Sequence, residues 1–216
     1  MLLGYLGWLE VRMSTAPVPD ENVPVVLHTR PALDMSDEQF FEFCQLNRDW
    51  RIERTAEGDL IIMAPAGGET GTRNAFLTTF LTSWALQDGT GMPFDSSTGF
   101  NLPNGATRSP DAAWVKRSRL ATLTPEQKRQ FLPLCLDFVI ELRSASDRLK
   151  TVQDKMQEYI DNGAQLGWLL DPLDRRVSIS RPGAEVERLD NPATVAGAPE
   201  LPGFVLDLKA IWELSF

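Results

Sequence analysis

Histidine is nearly absent. The chain of 216 residues contains one, His28, in a segment flanked by Pro24 and Pro31. A zinc site built on histidines and a Ser-His-Asp triad both need more than that residue can supply. Cysteine is also scarce. Two residues, Cys44 and Cys135, are too few for a disulfide framework, and both stand in apolar stretches where a buried free thiol is expected. That pattern suits a reducing, cytoplasmic location. No run of about 18 apolar residues exists, so no membrane span is expected. The opening MLLGYLGWLEVR is apolar but lacks a basic start and a small-residue cleavage site, so no signal peptide is read there. Met13 is an alternative start. Positive charge is in deficit too, with a formal net charge of −9. This excludes a strongly basic protein that coats nucleic acid, but not an enzyme with a local basic rim around a metal.

What is present is ordinary globular material, enough for one large domain with a proper core. Residues 14–32 carry Pro17, Pro19, Pro24 and Pro31 and read as an irregular arm, and residues 1–20 are expected to pack poorly. MSDEQFFEFCQLN (35–47) predicts a helix capped by Ser36, with Phe40, Phe41 and Cys44 as its apolar stripe. WRIERTAEGDLIIMAP predicts two strands about a turn at Glu57-Gly58. A second helix over about 69–87 carries Phe76, Leu77, Phe80, Leu81 and Trp84 at helical spacing, and Gly89 and Gly91 stop it.

SSTGFNLPNGATRS predicts a hairpin-like excursion, SPDAAWV (109–115) a strand, and TPEQKRQF (124–131) a short helix capped by Thr124. LDFVIELRS is the central strand, DRLKTVQDKMQEYIDNG a helix ended by Gly163, and LGWLLD, RRVSISR and EVERLD are further strands. LPGFVLDLKAIWE closes the chain with a loop and a short helix. Helices alternating with groups of strands imply a mixed sheet with helices packed on it, in one domain.

The central strand poses a question. Glu141 stands among Phe138, Val139, Ile140 and Leu142, where a carboxylate loses much of its hydration. Burial there is costly without a compensating partner. Strand side chains alternate, so Val139, Glu141 and Arg143 share one face. Asp111, next to Pro110, shares a face with Ala113 and Val115. If the two strands are neighbours, Asp111 and Glu141 can reach one cation. With a backbone carbonyl, that of Leu142, and waters they make a hard-oxygen site suited to Mg²⁺. The other reading pairs Glu141 with Arg143 at the sheet rim. On the following helix Leu149, Val152, Met156, Tyr159 and Ile160 form the buried stripe, and Lys155 falls on its edge. From there it can reach the end of the sheet, or lie along a packing border. The segment APAGGETG precedes a helix but lacks a Walker lysine and the spacing of a dinucleotide loop.

The PD of SPDAAWV, the E-L-R of VIELRS, KMQEYIDNGAQLGWLLDP and the closing LPGFVLDL together resemble the Uma-two family, restriction-endonuclease-like proteins of the PD-(D/E)XK nuclease superfamily. The resemblance runs from about residue 35 to the C-terminus. It implies an α/β (α+β) fold with a restriction-endonuclease-like core, a mixed central sheet flanked by helices, and an added C-terminal β-hairpin region. The division implied is an arm over 1–32 and one domain over 33–216. It implies a metal-dependent endonuclease cutting DNA, with Mg²⁺ or Mn²⁺ held by Asp111, Glu141 and the Leu142 carbonyl, or else a catalytically silent homodimeric module on the same fold. A homodimer is expected either way. Arg143 stands where the superfamily usually has lysine. Arginine stays protonated, so Lys155 is the lysine moved to the adjacent helix, where partial burial can shift its pKa. Arg143 is left to contact phosphate. Glu69 matches the acidic residue that such nucleases carry on the preceding helix, and Gln153 and Tyr159 are expected to flank Lys155.

Overall fold

The computed structural model describes residues 24–214. The expectations for residues 1–20 and for a start at Met13 fall outside them. The arm's last part is not irregular. Its Val-Val-Leu run forms strand β1 (Val25–Leu27), which suits a pleated backbone and pairs antiparallel with residues 60–62. Helix α1 (Asp37–Leu46) follows, with Ser36 and Gln39 closing a reciprocal capping box.

β2 (Arg51–Arg54) and β3 (Leu60–Met63) form the expected hairpin. Gly58 takes φ +98° at the turn, a conformation that glycine alone adopts freely. β2 sorts its side chains by alternation. Ile52 and Arg54 point to α1, where Ile52 packs with Phe40 and Leu60. The Arg54 guanidinium lies 4.9 Å from the Phe40 ring centroid and ion-pairs with Asp37. Arg51 and Glu53 take the opposite face.

Helix α2 (Gly68–Asp88) buries Leu77, Leu81 and Ala85, which recur every four residues. Phe76, expected in that stripe, lies about 100° around the helix from Leu77 and is exposed. Phe80 and Trp84 are only partly covered. After β4 (Gly91–Asp95), the short hairpin of β5 (Phe100–Asn101) and β6 (Thr107–Arg108) joins β2, completing a sheet in the order β1-β3-β2-β6-β5.

The second sheet is built on β7 (Ala112–Lys116), β8 (Phe138–Leu142), β9 (Leu166–Asp171), β10 (Arg176–Ser180) and β11 (Glu187–Asp190). Its order is β11-β10-β9-β8-β7-β4. The β8–β9 pair alone is parallel, and helix α4 (Leu149–Asp161) makes the crossover that a parallel pair requires. A single-turn helix α3 (Arg117–Leu120), not foreseen from sequence, follows β7. The helix expected over 124–131 is one 3₁₀ turn (Gln127–Arg129), in which Thr124 and Gln127 exchange hydrogen bonds of 2.9 and 3.2 Å. β12 (Thr194–Ala196) and β13 (Val205–Asp207) form the C-terminal hairpin, followed by α5 (Lys209–Trp212).

Cores lie on both faces of the second sheet. On one, Phe138, Ile140, Trp168 and Leu170 pack with α2, the C-terminal hairpin and α5. On the other, Val139, Ala113, Val115 and Leu169 meet Val152, Met156, Tyr159 and Ile160 of α4. Helix α4 sits close over β9. A Cβ at Gly167 would stand 2.2 Å from the Met156 sulfur, so a side chain there would have to displace buried Met156. Both cysteines are free thiols. Cys135 is buried as expected, whereas Cys44 is only half-buried. Burial pushes each thiol up to about 11, which leaves little thiolate for nucleophilic work.

Candidate active site

Glu141 faces α4, not Arg143. Alternation along β8 puts it beside Val139, at 5% exposure. Its Oε1 accepts a 2.9 Å hydrogen bond from the Tyr159 hydroxyl and lies 2.9 Å from Lys155 Nζ. Lys155 and Tyr159 are one helical turn apart, so α4 presents both to the same carboxylate. The ammonium also donates to Glu53 Oε1 at 2.9 Å. A lysine at the edge of a helical stripe is thus lodged between carboxylates from two different sheets.

Glu53 is held from three sides. Its Oε1 also accepts from the Ser109 backbone N–H at 3.0 Å, and its Oε2 from Arg108 Nη1 at 3.2 Å. Arg108 continues the network to Glu158 through a 2.6 Å bond, and Asn104 donates to the other Glu158 oxygen at 2.9 Å.

Asp111 stands one residue before β7. Ala112 pairs with Ile140 in the antiparallel register, so the next step along both strands sets Asp111 opposite Glu141. Its Oδ2 accepts from the Leu142 backbone N–H at 2.8 Å and its Oδ1 from Asn74 Nδ2 at 2.9 Å. Arg51 Nη1 is 3.8 Å from Oδ1, and Arg51 Nη2 donates to the Ser109 carbonyl. Glu53, Asn74, Arg108, Asp111, Glu141 and Lys155 all line one cavity of about 470 Å³.

The charges divide the carboxylates. Burial raises the Glu53 pKa, but Lys155, Arg108 and Arg51 outweigh it and hold the group at about 2. For Glu141 burial is again the largest influence and Lys155 opposes it, while Asp111 and Glu53 add repulsion; the group is pushed up to about 7. Burial works against the Lys155 ammonium, yet Glu141 and Glu53 raise its pKa above the usual lysine value. The shift expected of a partly buried lysine is thus upward, because two acids meet this amine. Tyr159 is raised, first by burial and then by Glu141, so it remains a hydrogen-bond donor. Four carboxylates (Glu53, Asp111, Glu141, Glu158) face three cations (Arg51, Arg108, Lys155).

Other sequence candidates lie elsewhere. Glu69 is exposed and pairs with Arg73 at 3.0 Å, one turn along α2. It does not line the cavity; the α2 residue that touches Asp111 is Asn74. Arg143 lies past the end of β8, where the chain leaves the alternation, and its Nη1 is 2.8 Å from buried Asp171. Of Leu142, the N–H is engaged by Asp111. Gln153 is not among the cavity residues, and the APAGGETG segment contributes wall residues through Pro65–Gly67. Two substitutions check these placements. Glu69→Ala should leave the thermal midpoint and any cleavage unchanged. Arg143→Ala should lower stability, because it strips a partner from buried Asp171, without altering divalent-metal affinity. Thermal melts and metal titration read both.

Sequence reasoning missed Glu53, Arg51, Arg108 and Asn74. No local signal marked the first: three of the four residues of RIER are charged, so Glu53 does not stand out as Glu141 does in its apolar run.

The fold has relatives. A crystal structure of a putative nuclease belonging to DUF820 from Anabaena variabilis ATCC 29413 matches with a TM-score of 0.66, over 83% of this chain and 98% of that one, at 19% identity. A DrdV–DNA complex matches over 56% of this chain and 10% of that one, at 18% identity and a TM-score of 0.36. Among curated proteins none matches the chain. The first match shares the mixed-sheet fold described above. A family model described as putative restriction endonuclease matches residues 37–209, and the chain belongs to that family, Uma2.

Proposed function

We propose that this chain is a metal-dependent nuclease that hydrolyses DNA phosphodiester bonds. The observation that carries the reading is the meeting of Asp111, Glu141 and Lys155, from a strand end, a buried strand and a helix, in one cavity.

The donor set fits a hard divalent cation. Among the described residues no three Asp, Glu, His or Cys side chains group closely enough to cage a metal on their own. Mg²⁺ does not require that; one or two carboxylates with several waters suffice. Asp111 and Glu141 provide the two carboxylates, all their donors are oxygens, and the Asn74 Oδ1, on the amide that donates to Asp111, is buried without a partner among the described residues. Mg²⁺ or Mn²⁺ bound there would supply positive charge at the phosphate and a more acidic water.

The chain's own groups do the rest. Asn74 and the Leu142 N–H aim Asp111, and the Tyr159 hydroxyl aims Glu141. Lys155 keeps its proton between two acids, so it orients the attacking water and offsets charge on the phosphate and is not a base. Arg108 is spent on Glu53 and Glu158. Half-buried Arg51, at the cavity wall, is the guanidinium placed to meet a neighbouring phosphate oxygen.

Cation binding should depend on pH. Glu141 must shed a proton to serve as a ligand, and its pKa is about 7. Affinity for Mg²⁺ or Mn²⁺ should therefore rise by up to about tenfold per pH unit below 7 and level off above it. Calorimetric titration at pH 6, 7 and 8 measures this, and Glu141→Gln should be weaker and flat. If Glu141→Gln matches the wild type, Glu141 is not a ligand. Stability without metal moves oppositely. A carboxyl raised on folding binds more protons folded than unfolded between about 4.5 and about 7, so the stability it confers is present in acid and lost as pH rises through 7.

A second reading is a catalytically silent, homodimeric binding module. One observation favours it: Lys155 already satisfies Glu53 and Glu141, as a structural ion cluster would. Assays of supercoiled and single-stranded DNA at low salt, with Mg²⁺ or Mn²⁺, decide between them. Metal-dependent nicking supports the nuclease. Intact DNA and RNA after hours at micromolar protein supports the module.

A further inference from the structure

A second cavity, of about 760 Å³, opens beside the first. The two share Arg51, Asn74 and the wall residues Met63–Ala66, so the second is a trough that adjoins the first. Its far part is made where the chain turns into β2. Trp50 lines it and is 56% exposed, whereas Trp114 and Trp168 are buried at 2% and 0%. Among the described residues Trp50 is the one tryptophan presented to solvent in this way. Indoles are normally enriched where they have something to cover.

Arg48 lies in the same wall. Its Nε donates to the Gln45 carbonyl at 3.0 Å, and its two terminal nitrogens have no protein partner among the described residues. Arg51 lines both cavities, and its buried Nε is also without a partner among the described residues. Apolar lining is added by Ile52 and Phe131. Two acids share the wall. Asp95 is engaged by the Ser97 N–H and hydroxyl at 3.1 and 2.7 Å, which leaves Asp49 as the carboxylate of this wall with no hydrogen bond among the described residues.

We infer that this trough holds a nucleotide of an unpaired DNA segment flanking the one being cut, with its base on Trp50 and its phosphate between Arg48 and Arg51. The inference rests on the nuclease reading for the direction of the strand. A backbone that delivers a phosphate to Asp111 and Glu141 has to continue past their surroundings, and this side offers an exposed ring and two guanidinia in the cavity that adjoins the site. An aromatic face beside cations is what single strands use, since every base has a π-face and every linkage a negative charge. A paired base is already stacked within its duplex, so the occupant is single-stranded.

Binding of a fluorescein-labelled thymidine octamer, followed by anisotropy at low salt in chelator, tests this without cleavage. Trp50→Ala should weaken binding roughly ten- to hundredfold, the range for one base stacked on an aromatic side chain. Trp50→Phe should recover most of it. Arg48→Ala should weaken binding and reduce the salt slope by about 0.7, as expected for one lost phosphate contact to a single strand. Leu86→Ala, an exposed apolar residue on α2 outside the trough, is the control and should bind as wild type. No octamer binding by the wild type, or an affinity within twofold of it for either Trp50→Ala or Arg48→Ala, overturns the inference. The two readings fail separately. A wild type that cuts DNA while Trp50→Ala binds normally sinks this site alone. A wild type that binds through Trp50 and never cuts sinks the nuclease.

Discussion

Asp111→Asn is expected to abolish metal-dependent cleavage, with kcat lower by on the order of a thousandfold. Removing a single preorganised group that acts on developing charge has effects of this size. The choice of asparagine matters. Asp111 accepts from the buried Leu142 N–H and from Asn74, so alanine would leave both donors without a partner. Each buried donor left unpaired costs about 1–3 kcal/mol, and a loss of fold would pass for a loss of chemistry. Asparagine keeps an acceptor for Leu142 and removes the charge that faces Arg51 and the cavity; its amide N–H can donate to the Asn74 Oδ1 once that amide turns over. Nicking of supercoiled plasmid at low salt reads the result, because an acidic protein loses DNA steeply as salt rises. Equal thermal midpoints with cleavage gone place the defect in the site. A variant that cuts as fast as the wild type would remove Asp111 from the mechanism.

Asp111 and Glu141 were legible because each breaks a local rule. One follows a proline at a strand start, and the other is a charge inside an apolar run. Alternation also gave their faces, and the β7–β8 register put them opposite one another. Lys155 was legible as the off-stripe residue of an amphipathic helix. What sequence reasoning lacked was the partner sheet. Glu53 and Arg108 belong to a different sheet from Glu141. Nothing local in RIER or ATRS says that those strands fold against the end of α4, because that contact is set by long-range packing. Glu69 was chosen for lying at a helix start, where a carboxylate is favoured by the helix itself. The residue that reaches Asp111 is five positions on, an uncharged Asn74 that no search for acids would select. Arg143 failed for another reason: β8 ends at Leu142, so the alternation that grouped Arg143 with Glu141 stops one residue too soon.

Lys155→Met should be the most damaging single change to stability, and its damage should depend on pH and on metal. Methionine keeps the stem that packs along α4 and removes the ammonium that Glu53 and Glu141 share. Taking one partner from a buried ion cluster costs about 3–5 kcal/mol. For a chain of this size that lowers the thermal midpoint by roughly 10 °C. Glu53 keeps Arg108 and the Ser109 N–H, so most of the loss falls on Glu141. That carboxyl, already held near 7 with the lysine present, will be driven higher without it. At pH 5 it is protonated and the deficit is small; at pH 8 folding must pay for an unpartnered charge or hold a proton against the solvent, and the deficit is full. Melts of both proteins at pH 5 and 8 should diverge in that order. Added Mg²⁺ should then raise the midpoint of Lys155→Met more than that of the wild type, since a cation at Asp111 and Glu141 replaces part of the missing charge. Cleavage should be lost whether or not metal restores the fold. A variant as stable as the wild type at pH 8 would mean that the carboxylates are satisfied without the lysine. Restored stability together with wild-type cutting would take Lys155 out of the chemistry and leave it as a structural cation.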